Sequence, residues 1–392
     1  MSVYLDHASY SPLRASARDA WLAATDVVGN ASSVHGAGQE ARRLLEESRE
    51  ALASALRCEP IEVVFTSGGT ESVNLAVKGL WWSRGDGADA VVLPDGEHHA
   101  TMDAVAWLAE SEGAHVRAVA LDSVGRIDPV SFAAALPGAA LATALIANNE
   151  IGTVQDAPAL ARAAADAGIP LHLDAVSALG HLPVDFAAWR GGGAGTGGLV
   201  ALSVSGHKVG APVGTGALVV SRHASLTPAL HGGGQQRGLR SGTPDVAGAA
   251  ALAAAATEAV GEREAEHARL AGLRDRLVAG VAAAVPAAEL LGDPDDRLPG
   301  NIHLHFPGAA GESLLFLLDQ AGISVSTGSA CQAGVAEPSH VVLALGRSER
   351  VARSVLRITL GRTSTAADID AVLAALPDAY TRASGSRSGS RS

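Results

Sequence analysis

The sequence is poor in cysteine, in aromatic residues and in positive charge. Only two of its 392 residues are cysteines, Cys58 and Cys331. Two thiols are too few for a disulfide scaffold or a four-cysteine zinc site. Lys and Arg number 29 against 41 Asp and Glu, a formal net charge of −12. The basic patch or stripe of a nucleic-acid surface is therefore not expected. No apolar run approaches the roughly 20 residues of a membrane span, although 47 % of the chain is hydrophobic. The 14 histidines include no H-E-x-x-H or comparable spacing, so no metal site is expected. The opening residues, MSVYLDHASYSP, lack a basic segment followed by an apolar one, and a secretory signal is not expected. These absences predict a soluble globular protein of the reducing cytoplasm, with neither membrane nor nucleic acid as partner.

What is present is alternation. Apolar, β-branched runs (EVVFTS, DAVVLP, HVRAVAL, LATALIA, PLHLDAV, LVALSVS) are interleaved with helical patterns. That order predicts an α/β fold with a largely parallel sheet between helices. The chain is longer than one core usually serves. After about residue 245 comes a long strand-free helical stretch, and then a smaller α/β unit. A large domain over 15–255 is expected, with 1–14 and 256–380 forming a small domain. The Ser/Gly/Arg-rich residues 381–392 read as a tail too polar to bury a core.

Several motifs can carry chemistry. SGGTES joins a strand to a helix; its glycines and free helix N–H groups suit a phosphate around Gly69 and Thr70, or form an ordinary turn. Asp174 ends a buried strand, where a carboxylate can hold a protonated ring nitrogen or cap a helix. SGHKVG places Ser205, His207 and Lys208 just after another strand. A lysine so placed can form a Schiff base with a carbonyl, or lie exposed on a loop. Together, phosphate turn, aspartate and lysine resemble a pyridoxal phosphate (PLP) site. EHHA supplies His98 and His99, which diverge, so at most one faces such a site. ANNEIG supplies Asn149. Thr243 lies in the glycine-rich GGGQQRGLRSGT loop, which also carries Arg237 and Arg240. Arg357 and Arg362, in LRITLGR, can grip a carboxylate or make surface ion pairs. STGSACQAG, residues 326–334, sets Cys331 among small residues, whereas Cys58, in ALRCEPIEVV, reads as structural.

In this order and spacing YLDHA, GNASSVH, FTSGGTES, EHHA, NNEIGTVQ, HLDA, SGHK, HGGGQQRGLRSGT, STGSAC, EPSHV and LRITLGR resemble the cysteine desulfurases of bacterial iron–sulfur cluster assembly. These are class V, fold-type I PLP enzymes, and the resemblance runs from Tyr4 to about residue 380. It implies that Lys208 holds PLP as a Schiff base, that Asp174 pairs with the ring nitrogen, and that His98 stacks on the ring and assists proton transfer. Gly69, Thr70, Ser205 and His207 would bind phosphate. Thr243 would reach the phosphate of a neighbouring subunit, which implies a homodimer. Asn149 and Arg357 would hold L-cysteine, and Cys331 would take its sulfur as a persulfide for a protein acceptor. Iron–sulfur assembly, tRNA thiolation and biosynthetic sulfur carriers all stand open as destinations.

Two positions depart from the pattern. Ser177 stands where a glutamine is usual and is a shorter donor to the cofactor's phenolic oxygen. Tyr10, in ASYS, replaces a smaller residue near the site. Three other readings fit the same residues: a selenocysteine lyase, another class V enzyme such as an aminotransferase in which Cys331 is incidental, and a non-enzymatic scaffold.

Overall fold

A computed structural model describes residues 2–191, 195–328 and 337–385. Strands in chain order are β1 (Val3–Tyr4), β2 (Val63–Thr66), β3 (Ala90–Pro94), β4 (His115–Val119), β5 (Ala139–Leu145), β6 (Pro170–Asp174), β7 (Gly198–Ser205), β8 (Gly216–Val220), β9 (Glu289–Leu290), β10 (Asn301–His305), β11 (Ile323–Ser324) and β12 (Val355–Thr359). Seven build one sheet in the order β2-β8-β7-β6-β5-β3-β4. Only β8 runs against its neighbours, β2 and β7. The rest is parallel, as the alternation predicts. Every residue of β5, β7 and β8 is buried. Strands covered on both faces read as unbroken apolar runs, which is how LATALIA and LVALSVS announce themselves.

Helices cover both faces. The periodicity of GQEARRLLEESREALASAL predicts one stripe of Ala41, Leu44, Leu45, Ser48 and Leu52; the helix Gly36–Leu56 buries all of these but Leu44, which is half-buried. Asp128 and Asp156 each cap a helix whose first turn contains a proline. A cap supplies an acceptor to free N–H groups, and proline there sacrifices no helical hydrogen bond. The 39-residue helix Val246–Ala284, capped by Asp245, carries no strand. Its Ala249–Ala259 stretch enters the core under the large sheet. Leu270, Leu277 and Val281 enter a second core with Leu5, Ile302, Leu356 and Ile369.

That second core packs on a three-stranded antiparallel sheet, β12-β10-β9. The N-terminal strand β1 pairs with β11, so the chain's first residues belong to this half. The last helix, Ala366–Gly385, runs past residue 381, where the tail is expected to start. The remainder of that tail lies outside the described residues. No described helix is long and apolar enough to cross a membrane.

Candidate active site

In an open α/β sheet, ligands bind beyond the carboxyl ends of the parallel strands. Five such ends deliver five short loops to one place here. After β2, the turn at Ser67–Gly69 opens the helix Gly69–Trp82, whose N-terminus has no side-chain cap. Its N–H groups are thus free for an anion. Gly68 has φ +153°. A Cβ on Gly69 would lie 2.8 Å from Val176 Cγ2 and 3.3 Å from Ser205 Cβ. Only glycine lets the turn press so close against the ends of β6 and β7. Ser205 Oγ sits 2.9 Å from His207 Nδ1, adding hydroxyl and imidazole to the same wall. Thr70 is exposed at the turn's edge.

Asp174 closes β6 and is 3 % exposed. Burial lifts its carboxyl to about 6, against the pull of the Val176 N–H, which donates to Oδ1 at 2.8 Å, and of the Lys208 charge. A carboxylate so desolvated is prepared for a cationic partner. Lys208 follows β7 on the short helix Gly206–Val209. Its ammonium donates to the carbonyls of Ala8 and, at 3.0 Å, Ser9. Burial, then the neighbouring Arg357 charge, lowers it to about 8. A sizeable neutral, nucleophilic fraction therefore exists near physiological pH. Ser177 and Asn149 line the same cleft as Lys208.

His98 caps the helix His99–Glu112, Nδ1 accepting from the Ala100 N–H at 3.1 Å. Desolvation at the cleft, then the Lys208 and His99 charges, lower it to about 4. The His98 ring stays at the open face, while His99 turns to His340, ring centroids 4.8 Å apart. The two adjacent histidines thus diverge, His99 toward His340 of the EPSHV motif and His98 toward solvent.

From the small sheet comes Arg357, on β12 and 5 % exposed. It donates to Asp6 Oδ1 at 2.9 Å and to the Asn149 carbonyl at 3.1 Å. Its Nε has no partner among the described residues. A buried guanidinium with an unspent donor suits a carboxylate ligand. The other arginines make hydrogen bonds elsewhere, although Arg362, which lines the same cleft, also has an Nε without a partner among the described residues. Arg240 pairs with Glu71 at 2.8 Å, Arg237 donates to the Val220 and Ile61 carbonyls, and Arg362 to those of Pro12 and Leu13.

Thr243 is exposed on its loop, away from these groups' hydrogen bonds. Tyr10 lies near-parallel to His207 at 6.4 Å, at the rim. Cys58 is half-buried, and burial with Glu62 and Glu59 pushes its thiol up to about 12, which leaves it inert. Cys331 lies outside the described residues. Among those described, no group of three or more His, Cys, Asp or Glu could hold a metal.

One residue escaped the sequence reading. Glu97 is 2 % exposed and accepts from the Leu145 N–H at 2.7 Å. Burial, and then the Asp174 charge, raise it to about 8. It is a neutral acid beside the ionisable Asp174, and its only sequence signal is its place directly before His98 at a strand end.

The class V aminotransferase family model matches residues 3–372. The chain is 48 % identical over 387 residues to an IscS-like cysteine desulfurase of Mycobacterium tuberculosis, covering 97 % of this chain and 96 % of the relative. A solved NifS-like protein superposes with a TM-score of 0.89 at 28 % identity, over 97 % of this chain and 100 % of that one. SspA in complex with cysteine does so at 0.78 and 30 %, over 92 % and 99 %.

Proposed function

The chain belongs to the class V aminotransferases as a PLP-dependent cysteine desulfurase, and we propose how its residues divide that work. Residues 15–255 hold the cofactor, while 1–14 and 256–380 supply the substrate grip and the sulfur acceptor. One observation carries this division. An uncapped helix N-terminus, a buried carboxylate and an amine of lowered basicity converge at the ends of β2, β6 and β7, the first pressed against Ser205. That donor set matches a phosphate, a pyridinium nitrogen and an aldehyde, so the residues fit PLP.

Gly69, Thr70, Ser205 and His207 would hold the phosphate of PLP, Asp174 its ring nitrogen and Ser177 its phenolic oxygen, with His98 as the residue for the ring. When bound, PLP supplies an electron sink that lets the Cα–H bond of an amino acid ionise. Arg357 and Asn149 orient L-cysteine by its carboxylate. Lys208 Nζ, once neutral, takes the Cα proton, and its depressed basicity keeps that form populated at neutral pH. The Cys331 thiolate forms an S–S bond to the substrate sulfur as the Cβ–S bond breaks. The electron pair stays with the carbon skeleton, which takes up protons and leaves as L-alanine. Cys331 is left as a persulfide.

The exposed Thr243 loop supports a homodimer in which it completes a partner's phosphate site. The persulfide's acceptor is a protein, with iron–sulfur cluster assembly as the first destination; tRNA thiolation and a dedicated sulfur carrier are the alternatives that an assay of labelled sulfur separates.

The test uses PLP-loaded protein. Cys331→Ala keeps the visible band of lysine-bound PLP but loses sulfide release from L-cysteine by a factor on the order of 10³ or more, as removal of a nucleophile does. Lys208→Ala loses both. Undiminished turnover in Cys331→Ala would mean that the cysteine is incidental and the reading wrong.

A further inference from the structure

Glu150 follows β5 in the NNEIG motif and is 2 % exposed. The Asn148 side chain fixes its backbone, Oδ1 accepting from the Glu150 and Ile151 N–H groups at 2.9 and 3.1 Å while Nδ2 donates to the Gly96 carbonyl at 2.9 Å. The carboxylate therefore has a set direction. Its Oε2 accepts the Ser339 hydroxyl at 2.6 Å. It also abuts Gly328 so closely that a Cβ there would lie 2.8 Å from the same oxygen and 2.9 Å from His303 Cε1. Gly328 and Ser339 stand on either side of the stretch that contains Cys331.

Each flank has a second attachment within the site. Upstream, Ser326 exchanges backbone hydrogen bonds with Arg357, at 3.0 and 2.6 Å. Its hydroxyl accepts from the Gly328 N–H at 3.1 Å. Downstream, Ser339 Oγ accepts from the Val342 N–H at 3.1 Å, and His340 Nε2 meets the Glu97 carbonyl at 2.9 Å.

We propose that Glu150 is a positioning residue that clasps Gly328 and Ser339 against one buried carboxylate and thereby sets where Cys331 meets the substrate sulfur. It is not among the residues assigned to substrate or cofactor above. The inference rests on the assignment of Cys331 as sulfur acceptor.

The experiment measures three things in PLP-loaded Glu150→Ala, Glu150→Gln and Ser339→Ala: the PLP band and its change on adding L-cysteine, sulfide release, and the rate at which iodoacetamide alkylates Cys331, followed by mass spectrometry. Cys58, its thiol pushed up to about 12, is the internal control. Misplacing a reacting group by ~1 Å can cost ~10²-fold. Glu150→Ala should lose roughly 10- to 100-fold in turnover and change the alkylation rate several-fold, with the PLP band and the L-cysteine response retained. The amide oxygen of Glu150→Gln still accepts the Ser339 hydroxyl, so that variant should recover to within about threefold. Ser339→Ala should reproduce part of the loss, and it keeps the test decisive if Glu150→Ala does not fold. Unchanged turnover and alkylation in Glu150→Ala and Ser339→Ala would overturn the proposal. So would equal loss of cofactor and thermal stability in the Ala and Gln variants, which marks a merely structural residue. Failure of the underlying assignment looks different: Cys331→Ala would then release sulfide at the wild-type rate.

Discussion

The two halves of the site are tied together over very different distances. On the large-sheet side several of the hydrogen bonds are local, although Lys208 reaches Ala8 and Ser9 across 200 and 199 positions. Asp174 to Val176, His98 to Ala100 and Ser205 to His207 each join residues two apart. On the small-sheet side they are remote. Arg357 reaches Asp6 across 351 positions, and Ser339 reaches Glu150 across 189. A cofactor pocket made of strand-end loops can be right as soon as each loop is right. A substrate grip built from the chain's two ends exists only once the whole chain is folded. The large half should therefore dominate PLP binding, with Ala8 and Ser9 of the other half touching only the Lys208 ammonium, and the small half should decide what happens to L-cysteine.

Two substitutions test that division. Removing one partner of a buried charge pair costs ~3–5 kcal/mol. Asp174→Ala should accordingly weaken PLP retention about 10²- to 10⁴-fold, read by dialysis followed by absorbance, and turnover should fall with it. Arg357→Ala should leave the PLP band intact and raise KM for L-cysteine by about 10- to 100-fold, the lower end of the cost of truncating a buried, hydrogen-bonded charge. A loss of PLP from Arg357→Ala equal to that from Asp174→Ala would erase the distinction between the halves.

The same contrast explains what the sequence made legible. Glycines at a strand–helix junction, a lysine between glycines and an aspartate closing an apolar run are local features, and periodicity places each at a strand end. The parallel strands, the helix between the two cores and the divergence of His98 from His99 follow from such short-range patterns. The antiparallel β8 did not stand out, because GALVV is a short apolar run and its insertion between β2 and β7 is a property of the sheet. The helix Ala15–Thr25 also passed unnoticed; only Ala17 and Ala24 are buried in it, too few for an apolar stripe. The neutral Glu97, the Arg357–Asp6 pair and the clasp at Glu150 depend on burial and on partners far away in the chain. Spacing carries no trace of them. Cys331 is the reverse case, conspicuous in sequence yet outside the described residues.

The last prediction concerns a property in which the halves should not differ. Burial lowers His98, His181 and His207 to about 4 and His172 to about 3 in the large half, and His7 to about 4 and His303 to about 3 in the small one. An ordinary histidine titrates near 6.5. Between that value and about 4, the unfolded chain takes up protons that the folded chain refuses, so stability falls as pH falls through this window. Glu97 and Asp174, raised to about 8 and about 6, act in the opposite sense. They are two groups against seven histidines, since burial lowers His305 as well, so acid destabilisation should win while activity at neutral pH is untouched. Whether the halves then fail together is decided by the helix Val246–Ala284, which lends side chains to both cores. All five tryptophans, at positions 21, 81, 82, 107 and 189, belong to the large half. Their fluorescence therefore reports that half alone, whereas far-ultraviolet circular dichroism reports both. Coincident acid transitions by the two probes are expected, because a shared helix cannot be lost from one core and kept in the other; separated midpoints would show that the small half melts independently.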